Sequence, residues 1–201
     1  MNRFTIIGIA LLCVCIGSCT DDDAAVQPIP ARHSIMPFAV GNYWISRSVV
    51  YKDGELDYQR MDTMRVYSSF TDDDGQEWFD VGIWDASWGT VYYGNTGRGF
   101  EMLRDRRQLL VPYPAALGRH TLYTGSGEEQ GWTRLVDQEE FVEVPAGKFK
   151  CYHYIHFDGV PDEAHLWYAP GVGLIKSHRV YTLQNGHEYD ETRELLEYVV
   201  Q

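Results

Sequence analysis

The chain has 201 residues, with 17 Lys and Arg against 29 Asp and Glu and a net charge of −12. Apolar residues make up 44% and aromatics 14%, enough for a packed core and unlike a disordered chain, which is poor in aromatics. The acidic balance argues against a nucleic-acid protein, which needs a basic face to neutralise phosphate, and against charge-driven binding to anionic lipid.

The N-terminus reads Met1-Asn2-Arg3, and residues 4–16 that follow carry no charge. A membrane-spanning helix needs about 20 apolar residues, so this shorter run has the form of a signal peptide. It ends in Ile16-Gly17-Ser18-Cys19, which resembles the lipobox of bacterial lipoproteins: a branched apolar residue, two small residues, then Cys. Cys13 and Cys15 follow Leu12 and Val14, which are not small, so only Cys19 fits. The resemblance implies cleavage between Ser18 and Cys19, with residues 1–18 removed and Cys19 lipidated. One myristoyl chain binds a membrane only reversibly. The resemblance implies two or three chains on this cysteine, and with them an anchor that does not dissociate. By resemblance to the sorting rule of enteric bacteria, where an Asp at this position favours inner-membrane retention, Thr20 implies that outer-membrane delivery is permitted. Asp21-Asp22-Asp23 resembles the acidic export signal that sends some Gram-negative lipoproteins to the cell exterior, although a charge run is also an ordinary solvated tether. The implied location is the outer membrane of a Gram-negative bacterium, with the lipid as the membrane contact.

Residues 19–36 read as the lipidated Cys and a polar tether containing Pro28 and Pro30. Residues 37–201 read as one β domain, entered near Phe38-Ala39-Val40-Gly41-Asn42-Tyr43-Trp44. From there the hydrophobic period is two. Tyr43, Ile45, Val49 and Tyr51 share one face. Leu56, Tyr58, Met64 and Val66 share another, interrupted by Arg60 and Asp62. Phe149, Cys151, His153, Ile155 and Phe157 form an apolar face opposite Lys150, Tyr152, Tyr154 and His156. Asp53-Gly54 and Asn185-Gly186 are two-residue hairpin signals, and Asp74-Gly75 and Asp158-Gly159 are further turns. About ten or eleven strands follow from this spacing. Residues 190–200 fit either a strand or a short amphipathic helix. The predicted fold is all-β: a single antiparallel sheet curled into a half-barrel, or a barrel or sandwich, with little helix. Arg60, Asp62 and Arg179 interrupt the bands that a transmembrane barrel would present to lipid.

Two turn motifs sharpen this. Val144-Pro145-Ala146-Gly147-Lys148-Phe149-Lys150-Cys151 places a Pro-preset turn before a strand, and Tyr168-Ala169-Pro170-Gly171-Val172-Gly173-Leu174-Ile175-Lys176 links two more. Together they resemble a pair found in secreted and lipoprotein β domains of unknown function, whose curved sheet is similar to that of lipoprotein carrier proteins. The resemblance covers chiefly residues 140–183 and implies a fold, with no catalytic residue.

The search for chemistry is mostly negative. Gly94-Asn95-Thr96-Gly97-Arg98-Gly99 lacks the Lys and spacing of a phosphate loop and reads as a hairpin. Asp72-Asp73-Asp74-Gly75 has Phe70 where a calcium loop needs an acid and reads as a turn. Cys151 reads as a small buried hydrophobe. His153 and His156 point to opposite faces of one strand, while His156, His165 and His178 are candidates to converge across strands. No cofactor and no metal site is expected. Aromatics are the surplus: Trp84, Trp88, Tyr92, Tyr93 and Trp167 are the candidate ligand-binding residues, able to stack on a sugar or line an apolar cavity, though a small β domain also spends such residues on its core. Arg104, Arg106 and Arg107 with Asp105 form a polar turn that reads as a solvated hairpin end, with a grip on an anionic group as the alternative. The expected function is a non-enzymatic, membrane-anchored binding or envelope-assembly domain. Its candidate partners are an apolar ligand, a glycan or an envelope protein, and not nucleic acid. The alternative is a surface hydrolase or a glycan-binding lipoprotein.

Overall fold

The structure, a computed structural model, describes residues 34–83, 91–124, 130–157 and 163–201. Cys19, its neighbours Ser18 and Asp21 to Asp23, and Trp84, Trp88 and Asp158-Gly159 lie outside the described residues. Twelve strands form one antiparallel sheet: β1 (Tyr43–Lys52), β2 (Glu55–Thr71), β3 (Glu77–Ile83), β4 (Tyr92–Thr96), β5 (Gly99–Leu103), β6 (Arg107–Pro112), β7 (His120–Thr124), β8 (Gln130–Val144), β9 (Gly147–Phe157), β10 (Glu163–Ala169), β11 (Gly173–Thr182) and β12 (Glu188–Val199). Their spatial order is β6-β5-β4-β3-β2-β1-β12-β11-β10-β9-β8-β7. The first and last strands therefore pair with each other, and the sheet curls into a nearly closed barrel whose open seam lies in mid-chain, between β6 and β7. The all-β expectation holds, and residues 190–200 belong to a strand and its end rather than to a helix.

Local chemistry explains the tight corners. Asp53 and Gly54 both take positive φ, 50° and 82°, the geometry of a two-residue hairpin whose twist matches its strands. Asn185-Gly186 differs. It sits in a five-residue connection, 183–187, closed by Leu183 N–H to His187 O and Gly186 N–H to Leu183 O. Gly173 has φ +113°, and a Cβ there would lie 2.9 Å from Met36 Sδ and 3.2 Å from Trp44 Nε1. Only glycine meets both demands.

The core runs through the barrel, with Trp44, Val66, Phe79, Val81, Phe100, Leu135, Tyr154, Tyr168, Ile175 and Leu195 buried. Residues 34–41 plug one mouth. Ile35 and Met36, which the sequence places in the tether, are fully buried, and Phe38 packs against Trp44, Phe79, Tyr93 and Phe100. Gly171 N–H donates to Ser34 O, and Asn95 Nδ2 donates to Met36 O. Asn42, fully buried, donates through Nδ2 to Pro37 O and accepts from Gln201 N–H, so both ends of the domain are tied at one residue.

Strand β9 corrects one reading. Tyr154, on the face taken as polar, is completely buried, and so is Cys151 on the other face. Cross-strand register puts Tyr154 beside Leu135 and Leu166, and Tyr152 beside Tyr168, which makes the tyrosine face the barrel interior. The interruption at Arg60 and Asp62 has its own cause. Asp62 Oδ2 accepts from Ser48 Oγ at 2.7 Å and from Arg193 Nη2 at 3.1 Å, while Arg60 Nε lies 3.1 Å from Oδ1. A buried carboxylate is retained only when paired in this way.

Candidate functional site

Directly opposed residues of an antiparallel ladder share a face, so the register itself assembles two rows on the face opposite Tyr154. The first runs Asp137, His153, Trp167, Lys176, Glu194, Arg47 across β8, β9, β10, β11, β12 and β1. The second runs Ile155, His165, His178, Thr192 across β9 to β12. Trp167 is central: its ring stacks on His153 at 4.4 Å and lies 5.9 Å from that of His165. The Trp167 indole N–H is buried with no hydrogen-bond partner among the described residues.

The imidazoles form a chain. His153 Nδ1 lies 2.9 Å from Glu140 Oε2, and His153 Nε2 lies 2.9 Å from His165 Nδ1. A carboxylate only accepts, so the neutral chain has one direction. His153 Nδ1–H donates to Glu140, and His165 Nδ1–H donates to His153 Nε2. Burial holds His153 below its ordinary imidazole value, with Glu140 opposing and His165 reinforcing the shift. His178, its ring 6.5 Å from that of His165, pairs through Nε2 with Asp190 Oδ1 at 3.0 Å. The row ends in an ion triad, with Lys176 and Arg47 each 3.2 Å from Glu194. Such a chain can hold and orient protons. Among the described residues no group of three or more His, Cys, Asp or Glu converges as metal ligands.

The predicted residues divide. Trp167 sits in this cluster. Tyr92 and Tyr93 are sequence neighbours and so point to opposite sides of the sheet: Tyr92 makes an edge contact with Phe70 at 4.8 Å, whereas Tyr93 packs inward on Phe38 and Phe100, and burial raises its phenol. The structure does not bring Tyr92, Tyr93 and Trp167 into one site. Of the three histidines expected to converge, His165 and His178 do. His156 is on the other face, its Nδ1 2.9 Å from Thr133 Oγ1, and His153 takes the place expected of it.

The remaining candidates are occupied structurally. Asp72 Oδ1 accepts from the Asp74 and Gln76 N–H groups, and Oδ2 from Trp78 Nε1 at 2.7 Å and Arg107 at 2.6 Å. The Trp78 indole leads the bonds that hold this carboxyl below its usual value. Residues 94–99 form the β4–β5 hairpin, with Thr96 opposite Gly99. Burial pushes the Cys151 thiol up to about 12, with Glu140 adding to it, which makes it inert. A cavity of about 60 Å³ is lined by Trp44, Asp62, Met64, Leu174 and Arg193, room for about two waters.

No protein-family model matches the chain, and no curated protein sequence does. Two solved structures are similar to it. One, from Bacteroides fragilis, is described as an exported protein with a YmcC-like fold; the TM-score is 0.48 at 15% identity, covering 83% of this chain and 99% of that one. The other, from Parabacteroides distasonis, is described as a lipoprotein; the TM-score is 0.44 at 12% identity, covering 83% and 99%.

Proposed function

We propose that this chain is a lipoprotein of the Gram-negative outer membrane, anchored through Cys19 and facing the cell exterior, whose barrel is a non-enzymatic binding or assembly domain. The observation that carries the reading is the order of the parts. Ile16-Gly17-Ser18-Cys19 stands ahead of a polar stretch, residues 20–33, and among the described residues Ser34 is the first bonded to the barrel. At about 3.3 Å per residue those residues span at most roughly 46 Å, a length that would let the barrel stand off the membrane. Asp21 to Asp23 support the outward orientation.

Metabolic labelling with palmitate tests the anchor. Cys19→Ala is expected to abolish the label and release the protein from membranes, and persistent labelling refutes the reading. Replacing Asp21 to Asp23 with Ala is expected to remove protease access on whole cells. Unchanged access refutes the outward orientation.

A further inference from the structure

The barrel does not close. Among the described residues no ladder joins β6 to β7, the two ends of the strand order. Part of this seam is sealed by side chains: Thr133 Oγ1 donates to Leu110 O at 3.2 Å, and Tyr154 Oη donates to Pro112 O at 2.9 Å. The rest is an open trough. Arg106, Arg107, Gln108 and Leu109 form one wall and Thr121 and Leu122 the other, around about 370 Å³. A second hollow of about 340 Å³ shares Thr121 and Leu122 and continues past Arg119.

Two features of the trough specify an occupant. First, its walls are strand edges. Unpaired edges present backbone donors and acceptors that an extended chain can satisfy. Leu122, 65% exposed, offers an apolar contact to alternate side chains of that chain. Second, its charge is opposite to that of the protein. Arg98, Arg106, Arg107 and Arg119 line the two hollows, with no carboxylate among the described lining residues, in a chain where acids outnumber bases 29 to 17. Arg98 and Arg107 also hold Glu101, Asp72 and Asp74. A guanidinium carries five N–H donors in a fork, however, and toward the described residues Arg107 bonds through Nη2 while its plane lies over the Trp78 ring. Self-pairing of two such edges would oppose like charges, which destabilises a ladder.

We infer that the β6–β7 seam docks an extended acidic peptide segment of a partner protein, which adds to the open edges by main-chain hydrogen bonds and is selected by the flanking arginines. This inference rests on the binding reading above and names its partner class. Its failure would leave palmitate labelling at Cys19 unchanged, so the two can be told apart.

The test is fluorescence anisotropy with a labelled alternating Glu-Val decapeptide and the full chain carrying Cys19→Ala. Saturable binding is expected. Methylating alternate backbone nitrogens of the peptide removes several donors, each worth about a factor of five, and is expected to weaken binding at least about tenfold. Arg106→Gln and Arg119→Gln, both exposed, are each expected to weaken it about threefold and together about tenfold, the range of exposed charge pairs, with the circular dichroism spectrum unchanged. No saturable binding overturns the inference. Equal affinity for the methylated peptide, or equally good competition by polygalacturonate, reduces the seam to a general anion site and also overturns it. Binding seen only after Asp21 to Asp23 are replaced by Ala assigns the trough to the chain's own leader segment and overturns it as well.

Discussion

Gly173→Ala probes whether the arm of residues 34–38 is part of the barrel. At φ +113° a side chain is strained, at a cost of about 1–3 kcal/mol. The new Cβ would also meet Met36 Sδ at 2.9 Å and Trp44 Nε1 at 3.2 Å. Both residues are almost fully buried, so neither can move into solvent, and overpacking adds about 1–3 kcal/mol. Gly186→Ala is the control. Its φ is +80° with nothing within 4 Å of a Cβ, so strain alone applies, about 1–2 kcal/mol. Urea unfolding followed by tryptophan fluorescence reads both. With a slope of about 2 kcal/mol per molar, Gly173→Ala is expected to lower the midpoint by about 2 M and Gly186→Ala by about 0.5–1 M. Met36→Ala is expected to relieve part of the first effect, so the double variant should fall short of additivity by about 1 kcal/mol. Equal midpoint shifts for the two glycines, together with strict additivity for Met36, would refute the seat of residues 34–38 in the barrel mouth.

Asp62→Ala leaves the Ser48 and Arg193 donors without their acceptor and is expected to cost about 2–3 kcal/mol, below the full range for a buried pair because Arg193 and Arg60 are partly solvated; Asp62→Asn should cost less, and unfolding midpoints compare them. In a chain whose other cysteines are replaced by Ala, Cys151 is expected to resist a thiol reagent when folded and to react in urea; prompt reaction of the folded chain would show that burial does not control it. Because burial holds His153 below its ordinary value, the unfolded chain binds more protons between the folded and unfolded values. Stability is therefore full above about pH 6.5 and declines as pH falls from there, a slope that His153→Gln should flatten. Asp53 and Asp72, held below the usual carboxylate value by hydrogen bonds, contribute stability that disappears only as pH falls through their own lower values, so the two windows separate.

Much of the barrel is written in local chemistry. Period-two runs, Asp53-Gly54 and the Pro145-Ala146 turn identify strands and corners because pleat and backbone torsion depend on neighbouring residues alone. What escaped depends on partners distant in sequence. Ile35 and Met36 sit beside prolines and polar residues and look like tether, yet the mouth formed by Trp44, Asn95 and Gly173 buries them. Asp62 looks like part of an exposed stretch, yet Ser48 on β1 and Arg193 on β12, both to one side of β2, hold its carboxylate inside, while Arg60 stays exposed. The seam is equally silent. Strands β6 and β7 are consecutive, which ordinarily favours pairing, but the chain's two ends pair instead and leave the gap in mid-chain.

The imidazole cluster shows how a single residue decides what a sequence can reveal. The turn at Pro170 sets Ala169 opposite Gly173 and Tyr168 opposite Leu174. Counting on in strict register would set His165 opposite Ser177, with His178 on the far side of the sheet. Instead the register shifts between Trp167 and Tyr168, and Lys176 meets Trp167. Ile175 is the extra residue, and it is 1% exposed, so the core rewards the bulge by taking one more aliphatic side chain. The slip of one position inverts the faces beyond it. It brings His178 to His165, and Lys176 to Trp167 in line with Glu194. The grouping of His153, His165, Trp167 and His178 on one face is thus a consequence of burying Ile175. Deleting Ile175 would cost both the core contact and the histidine pairing, whereas Ile175→Val would keep the bulge and should preserve the ring contacts of His153, His165 and His178, read as cross-strand nuclear Overhauser effects in proton NMR.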